Sequence, residues 1–306
     1  MKKRILVLYY SQTGQLKRIL DSVCSSFPTD IEVEFAEIKP KQRFPFPWTT
    51  GVFFDCMPES VLMIPEPMEP IQPRHQKYDL VLFGYQPWFL SPSIPAGSFL
   101  QSTQASILKN HNVVTVIGSR NMWLNAQEQV KRLILRNGGL LRGNLVFFDR
   151  NPNLISLLTV IRWSFKGKKE AGRFLPDAGV QEKDIQEAKR FGTLLTEALV
   201  TEVWDRLQER LVQAGGVELN PALVVLERRG ITNFRKFAPW ILAKGKRGDM
   251  ERRVRVNVFR RLLLTGVFIL SPISSFTAKL NVLFKRREIE EEVNYYKSIQ
   301  YREKAI

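Results

Sequence analysis

The stretch Arg4–Leu20 reads RILVLYYSQTGQLKRIL, an apolar run followed by a short polar loop and a helix-like pattern. Ile5–Tyr9 is continuous, apolar and β-favouring, which predicts a strand buried on both faces, as in a parallel sheet. After the loop, apolar residues recur at helical spacing from Leu16 to Val23. The stretch therefore predicts a strand, a polar loop and a helix in succession.

The loop Ser11–Gln15 has the composition of an anion site. The first N–H groups of a helix lack intrahelical partners and carry the positive end of its dipole. Hydroxyls on Ser11 and Thr13 add donors, and Gly14 allows a ligand to approach closely. The loop is neither a Walker loop nor a GxGxxG turn, because it has one glycine and no Gly-Lys-Ser/Thr ending. We expect it to hold one phosphate; a polar turn without a ligand is the alternative.

Composition limits the class of protein. A chain of 306 residues with 44% hydrophobic content suits one globular core and an appendage. The apolar run near the N-terminus is too short for a secretory signal, and Cys24 and Cys56 have no metal-ligand spacing. We therefore expect a cytoplasmic protein without a metal site.

Further buried runs predict an alternating α/β chain. Ile31–Ile38 alternates apolar and charged residues, as a half-exposed strand near a sheet edge does. Tyr78–Tyr85 and Val113–Ile117 read as buried strands, and Leu145–Phe148 adds a fifth. An amphipathic helix at Glu182–Leu199 closes the fold.

Two insertions interrupt this pattern. Residues 39–76 contain recurrent prolines and aromatic residues, which exclude a central strand or a long helix. We expect an aromatic-lined lid or substrate wall there, with a packing arm or homodimer contact as the alternative. Residues 151–176 include the basic aromatic run RWSFKGKK, which we expect to be a solvated loop; an acyl-carrier protein or lipid contact is the alternative.

Three polar or aromatic loops follow predicted strands, at the edge where open α/β sheets bind ligands. In these loops, residues 1–200 resemble the flavodoxin family, whose first loop carries a Ser/Thr-x-Thr-Gly-x-Thr motif. The resemblance implies a three-layer, doubly wound, five-stranded parallel sheet of order 2-1-3-4-5, with FMN as cofactor. Leu16 stands at the last motif position, so one expected hydroxyl is missing.

The same resemblance assigns roles to the loops. The second loop would place an aromatic residue against the isoalloxazine ring, and Trp88 is the best candidate. The third loop would touch the ring edge, where Arg120 or a backbone N–H could stabilise negative charge on the reduced flavin. The implied cofactor-binding residues are Ser11, Gln12, Thr13, Gly14, Gln15, Gln86, Pro87, Trp88, Phe89, Gly118, Ser119, Arg120, Asn121, Met122 and Trp123.

Three longer segments resemble a narrower family. PFPW…FFDCMPESV, YQPWFLSPSIPAGSFLQS and GSRNMWLNAQEQVKRL are similar to segments of the dialkylresorcinol condensing enzymes, flavodoxin-like proteins encoded with ketosynthases in bacterial pigment pathways. The resemblance implies oxidation of a hydrophobic 2,5-dialkylcyclohexane-1,3-dione to a dialkylresorcinol, with a ketosynthase or acyl-carrier protein as partner. The alternatives are an FMN quinone reductase with a nicotinamide donor and a flavin-free scaffold tethered to a membrane.

Catalytic side chains are less well indicated than the cofactor loops. No Ser/His/Asp set or carboxylate pair stands out in the sequence. The candidates for proton acceptor are Tyr10, Asp55, His75 and Tyr85.

Residues 201–306 read as a basic helical extension. From Arg228 to Arg287 there are 16 Lys and Arg but two acids. The segment 262–284 has cations at both ends, and its apolar core is interrupted by Pro272, Ser274, Ser275 and Lys279, so the core is shorter than the roughly twenty residues that a bilayer span needs. We expect it at an anionic membrane surface, on the inner face of the cytoplasmic membrane. A helix pair packed on the core is the alternative, and the long apolar stretch argues against nucleic acid. Glu288–Ala305 predicts a charged helix facing solvent or a partner.

Overall fold

Five parallel strands form the central sheet of the computed structural model, which describes residues 2–269 and 271–303 and, for residues 271–276 and 279, the backbone alone. The strands are β1 (Arg4–Tyr9), β2 (Glu32–Glu37), β3 (Leu80–Tyr85), β6 (Asn112–Ser119) and β7 (Leu140–Phe148). Their order is β2-β1-β3-β6-β7. A two-residue hairpin, β4 (Pro87–Trp88) with β5 (Ser91–Pro92), stands apart from the sheet. The predicted flavodoxin-like order 2-1-3-4-5 is confirmed for the five sheet strands.

Helices cover both faces of the sheet because successive strand residues point to opposite sides. Ile5 and Val7 of β1 face one apolar cluster, and Leu6 and Leu8 face the other. The first cluster includes α1 (Gln15–Cys24), α7 (Glu182–Glu187), α8 (Lys189–Thr201) and α9 (Leu207–Gln213). The second includes α4 (Ile94–Gln101) and α5 (Leu124–Arg136). The predicted helix Glu182–Leu199 is thus two helices that meet at Ala188.

Both insertions contain short helices. The first insertion, called the arm below, holds α2 (Thr50–Asp55) and α3 (Met57–Val61). The second insertion holds α6 (Asn153–Lys166), so the expectation of a solvated loop is wrong for these residues. Ser156 and Thr159 of α6 are buried, whereas the lysines follow at the C-terminal end, where cations suit the helix dipole.

The C-terminal extension packs against the sheet domain. Its helices are α10 (Pro221–Leu242), α11 (Arg253–Phe268), α12 (Ser271–Phe284) and α13 (Arg286–Lys297). Asn220 caps α10 by accepting from the N–H of Ala222 at 3.0 Å. The described part of α13 is not a solvated helix, because Ile289, Tyr295 and Tyr296 are buried and the Tyr295 hydroxyl donates to Glu128 at 2.5 Å.

The predicted membrane-interface segment 262–284 lies partly outside the described residues, since Leu270 is not described and several side chains of α12 are not. Among the helices that are described, none is both long and apolar enough to cross a bilayer.

Candidate functional site

Three loops meet at the carboxyl edge of the sheet, where the chain leaves β1, β3 and β6. The first and second loops are joined directly, because the N–H of Gln12 donates to the side-chain oxygen of Gln86 at 3.1 Å. The second loop is joined to the start of α5 by Asn125, whose side chain donates to Leu90 O at 2.8 Å. The strand order reverses between β1 and β3, which is the position of ligand crevices in doubly wound sheets.

The first loop presents hydroxyls and backbone N–H groups at the start of α1. Ser11 Oγ lies 3.4 Å from the N–H nitrogen of Lys17, and Thr13 Oγ1 lies 3.4 Å from that of Gln15. These contacts are longer than ordinary hydrogen bonds, so the N–H groups remain available to a stronger acceptor. Gly14 has a φ of +78°, and a Cβ there would meet nothing within 4 Å. The loop is therefore open on the side of Gly14.

Two side chains of this region serve the core instead of the loop. Leu16 is fully buried and packs against the strand glycines Gly84 and Gly118. The Gln15 side chain accepts from and donates to the backbone of Val180, both at 3.0 Å. The missing motif hydroxyl at position 16 is therefore replaced by an apolar contact between α1 and the sheet.

The second loop turns through a strained hairpin. Phe89 and Leu90 have φ values of +47° and +63°, which non-glycine residues adopt at a cost of roughly 1–2 kcal/mol each. The turn directs the Phe89 ring to within 4.8 Å of the Phe53 ring and 6.2 Å of the Phe234 ring, centroid to centroid. Leu90 reaches α10 at Gly230, where a Cβ would stand 2.8 Å from it. Packing on the arm and the extension offsets the backbone strain.

The third loop, Gly118–Trp123, is tied to α6. Arg120 donates to the Asn153 side-chain oxygen at 2.9 Å, and so does the Asn121 amide. Burial lowers the pKa of Arg120 to about 10, so the guanidinium remains charged at neutral pH. Ser119 Oγ and Asn121 Oδ1 are buried and have no hydrogen-bond partner among the described residues. Met122 is half-buried and Trp123 is buried in the core.

The arm covers Trp88. The ring centroids of Phe44 and Trp48 lie 5.0 Å and 5.1 Å from that of Trp88, and both rings stand at steep angles to the Trp88 ring. Trp88 retains 9% of its surface. The arm is also fastened to the first loop, because the Gln12 amide donates to Pro45 O at 2.9 Å. The wall beside Trp88 is therefore built from the protein's own aromatic residues.

The C-terminal extension holds the start of α5. Glu227 of α10 is fully buried, and its carboxylate accepts from the N–H of Asn125 at 2.8 Å. Arg235 donates to the Asn125 side-chain oxygen at 2.9 Å. Burial raises the pKa of Glu227 to about 7, although N–H groups at the start of α5 oppose the shift. The sequence pattern did not single out Glu227 or Arg235, because each looks like one more charge on a surface helix.

Tyr10 is the candidate proton acceptor that lies among the loops. Its ring is 5.8 Å from that of Trp88, and its hydroxyl donates to the side-chain oxygen of Gln12. Burial raises the pKa of Tyr10 well above the usual tyrosine value, so the hydroxyl keeps its proton at neutral pH.

The other three candidates lie elsewhere. Tyr85 is sealed in the core, where its hydroxyl donates to Gln127 at 2.8 Å. Asp55 accepts from Arg252 at 2.6 Å and from the N–H of Gly248 at 2.7 Å, so both its oxygens bind the extension. His75 Nε2 lies 3.0 Å from a carboxylate oxygen of Glu32, at the amino end of β2. The structure therefore does not bring His75 to the loops, which lie at the opposite end of the strands.

A cavity of about 350 Å³ adjoins the third loop on its β7 side. Asn121, Phe148, Arg150 and the start of α10 line it. Within the described residues, no group of three or more His, Cys, Asp or Glu side chains is placed to hold a metal ion.

Comparisons with known proteins give structural neighbours only. No family model matches the chain, and no curated protein matches it. Its fold is similar to that of a flavoprotein in complex with FMN from Lactobacillus acidophilus NCFM, at 20% identity over 47% of this chain and 93% of that chain, with a TM-score of 0.39. It is also similar to a WrbA-like flavodoxin from Agrobacterium tumefaciens (10% identity, 65% and 98% covered, TM-score 0.37) and to a flavone reductase (14%, 66% and 65%, 0.36). Because these identities and TM-scores are low, the fold assignment rests on the observed strand order of the sheet.

Proposed function

We propose that this chain is an FMN-dependent oxidoreductase whose site is formed by the three loops. The observation that carries the proposal is their arrangement. At the topological switch point the first loop is hydrogen-bonded to the second, and the second is hydrogen-bonded to the start of α5, which follows the third. The start of α1 is open at one end, and at the other two buried polar atoms have no partner among the described residues.

The first loop fits the phosphate of FMN. Ser11, Thr13 and the first N–H groups of α1 would hold it, since their mutual contacts are long and the space beside Gly14 is open. Leu16 contributes no donor because its side chain packs under Gly84 and Gly118. The N–H groups and two hydroxyls must therefore supply the whole phosphate site.

The third loop fits the polar edge of the flavin ring. Ser119 Oγ and Asn121 Oδ1 are buried and find no partner among the described residues, a condition that normally costs about 1–3 kcal/mol and that a ligand would relieve. Arg120 supplies positive charge at the same loop. Trp88 would form the wall of the ring site together with the arm residues that contact it.

The composition of the arm supports the proposed substrate class. Its aromatic lining suits an apolar molecule with alkyl chains, and a 2,5-dialkylcyclohexane-1,3-dione is the substrate we propose. Its conversion to a dialkylresorcinol removes two hydrogens from the ring. When bound, FMN supplies the two-electron acceptor for this oxidation. Tyr10, whose hydroxyl proton is donated to Gln12, would accept a hydrogen bond from the enol hydroxyl of the substrate and orient the ring.

The test is to load the purified protein with FMN and incubate it in air with such a dione. Mass spectrometry should show a product lighter by two hydrogens, and Tyr10→Phe should lower the rate. Protein without FMN is the control. If the loaded protein leaves the dione unchanged but reduces a quinone with NADPH, the chain is a quinone reductase and the proposed reaction is wrong.

A further inference from the structure

Helix α11 has apolar residues on two opposite faces. Val256 and Phe259 are buried against the arm and α10. On the other side Val254, Leu262 and Ile269 are 71%, 52% and 66% exposed. Their spacing places them along one stripe of the helix. Soluble surfaces seldom carry such a stripe unless it binds something.

Arginines accompany this stripe. Arg253 and Arg261 are exposed, and Arg260 is half-buried. Within the part of the chain that the structure describes, none of the three has a carboxylate partner. Arg252, by contrast, is fully buried and binds Glu59 at 2.6 Å. The described carboxylates therefore do not neutralise the positive charge on this side of α11.

The same helix adjoins the arm. The Phe259 ring lies 6.4 Å from that of Phe54 in α2 and 6.5 Å from that of Phe89 in the second loop. A surface bound to α11 would thus lie beside the aromatic wall. At the end of α12, Phe284 is 85% exposed, and the cations that follow it are paired with glutamates of α13, so this end adds apolar surface only.

We propose that the exposed side of α11 binds an anionic lipid surface. The basic apolar face is defined by its exposed residues Arg253, Val254, Val258, Arg261, Leu262, Phe268 and Ile269. Helices of this kind lie in the membrane interface with apolar residues inserted and cations among the headgroups. A symmetric contact between two copies would bring the exposed arginines together, which like-charge repulsion disfavours.

The experiment is co-sedimentation of the full chain with phosphatidylcholine vesicles that contain or lack phosphatidylglycerol. The protein should bind the anionic vesicles, and added salt should weaken binding. Arg253→Gln with Arg261→Gln should lower the affinity about 30-fold, since each cation contributes about fivefold. Leu262→Ser with Ile269→Ser should lower it at least about tenfold.

Matched controls lie elsewhere on the surface. Arg132→Gln with Arg136→Gln removes two exposed cations of α5, and Phe174→Ser with Val200→Ser removes apolar residues that are 85% and 63% exposed. Both controls should bind vesicles as the unaltered protein does. The proposal is wrong if the protein binds no vesicles, if the control variants lose as much affinity for them, or if the protein binds only an acidic carrier protein. Sedimentation velocity completes the test, because a dimer abolished by the Leu262 and Ile269 changes, without lipid binding, would identify a second copy as the occupant.

Discussion

Glu227→Gln isolates the contact by which the extension holds the start of α5. The carboxyl group is fully buried and accepts one hydrogen bond from Asn125, while its second oxygen has no partner among the described residues. Glutamine keeps the accepting oxygen and the side-chain shape but cannot ionise. The substitution therefore removes the charge and little else.

The size and sign of the effect follow from the pKa. Burial raises the pKa of Glu227 from 4.5 to about 7, and each pKa unit corresponds to about 1.36 kcal/mol. The stability that protonated Glu227 contributes is complete below pH 4.5 and is lost as the pH rises to about 7. Glutamine cannot ionise, so the variant does not lose this stability as the pH rises. The variant should therefore gain about 2.5 kcal/mol over the original protein between about pH 5 and pH 8.

Urea denaturation followed by fluorescence at both pH values measures the difference. Glu251→Gln, at an exposed position, is the matched control and should change the free energy of unfolding by less than about 0.5 kcal/mol at either pH. A Glu227→Gln advantage that is the same at both pH values would refute the reasoning, because it would show that the buried carboxyl does not titrate in this range.

Two further predictions concern packing, and thermal or urea unfolding checks both. Arg252→Met should destabilise the protein by about 3–5 kcal/mol by leaving buried carboxylates unpaired, whereas the exposed neighbour change Arg253→Met should cost less than about 0.5 kcal/mol. Similar losses from both would contradict the buried ion pair. Gly192→Ala would place a Cβ 2.0 Å from the backbone oxygen of Val23 and should cost about 1–3 kcal/mol. A Cβ at Gly266 would meet no described atom within 4 Å, so Gly266→Ala should stabilise the protein by up to about 1 kcal/mol. If Gly192→Ala leaves the stability unchanged, α8 does not pack so closely on α1.

The sheet and the loop positions could be predicted because their signals are local. A strand covered on both faces must be apolar throughout, so a run such as Leu80–Tyr85 can be recognised as a buried strand from the sequence. Each loop then follows from where its strand ends. The turn at Phe89 and Leu90 was not predictable, because a two-residue turn with positive φ normally contains Gly or Asn, and this one contains neither.

The role of the extension could not be predicted from the sequence, because it depends on contacts between residues that are far apart in the chain. Arg252 and Arg253 are adjacent and chemically identical, yet one is fully buried in ion pairs and the other is exposed. The local sequence does favour a helix start at Asn220, because Asn suits the N-cap and Pro221 the first helical position, and α10 begins there. It could not indicate that Glu227, two turns later, would reach the helix that follows the third loop.

The arm illustrates the same limit. Its prolines and aromatic residues predicted a wall or lid, and the structure places Phe44 and Trp48 against Trp88. The pattern could not show that the Gln12 side chain fastens the arm to the first loop, because that contact joins residues 33 positions apart.

FMN titration of the purified chain, followed by visible absorbance and quenching of flavin fluorescence, shows whether the three loops bind the flavin. We expect saturable binding of one FMN, and a loss of about tenfold to a hundredfold in affinity for Thr13→Val, because a hydrogen bond to a charged group contributes about 1.5–3 kcal/mol. Thr196→Val removes a hydroxyl that donates within α8, and this variant should bind FMN as the original protein does. If the chain takes up no FMN, or if the Thr13→Val variant binds it equally well, the loops are not an FMN site.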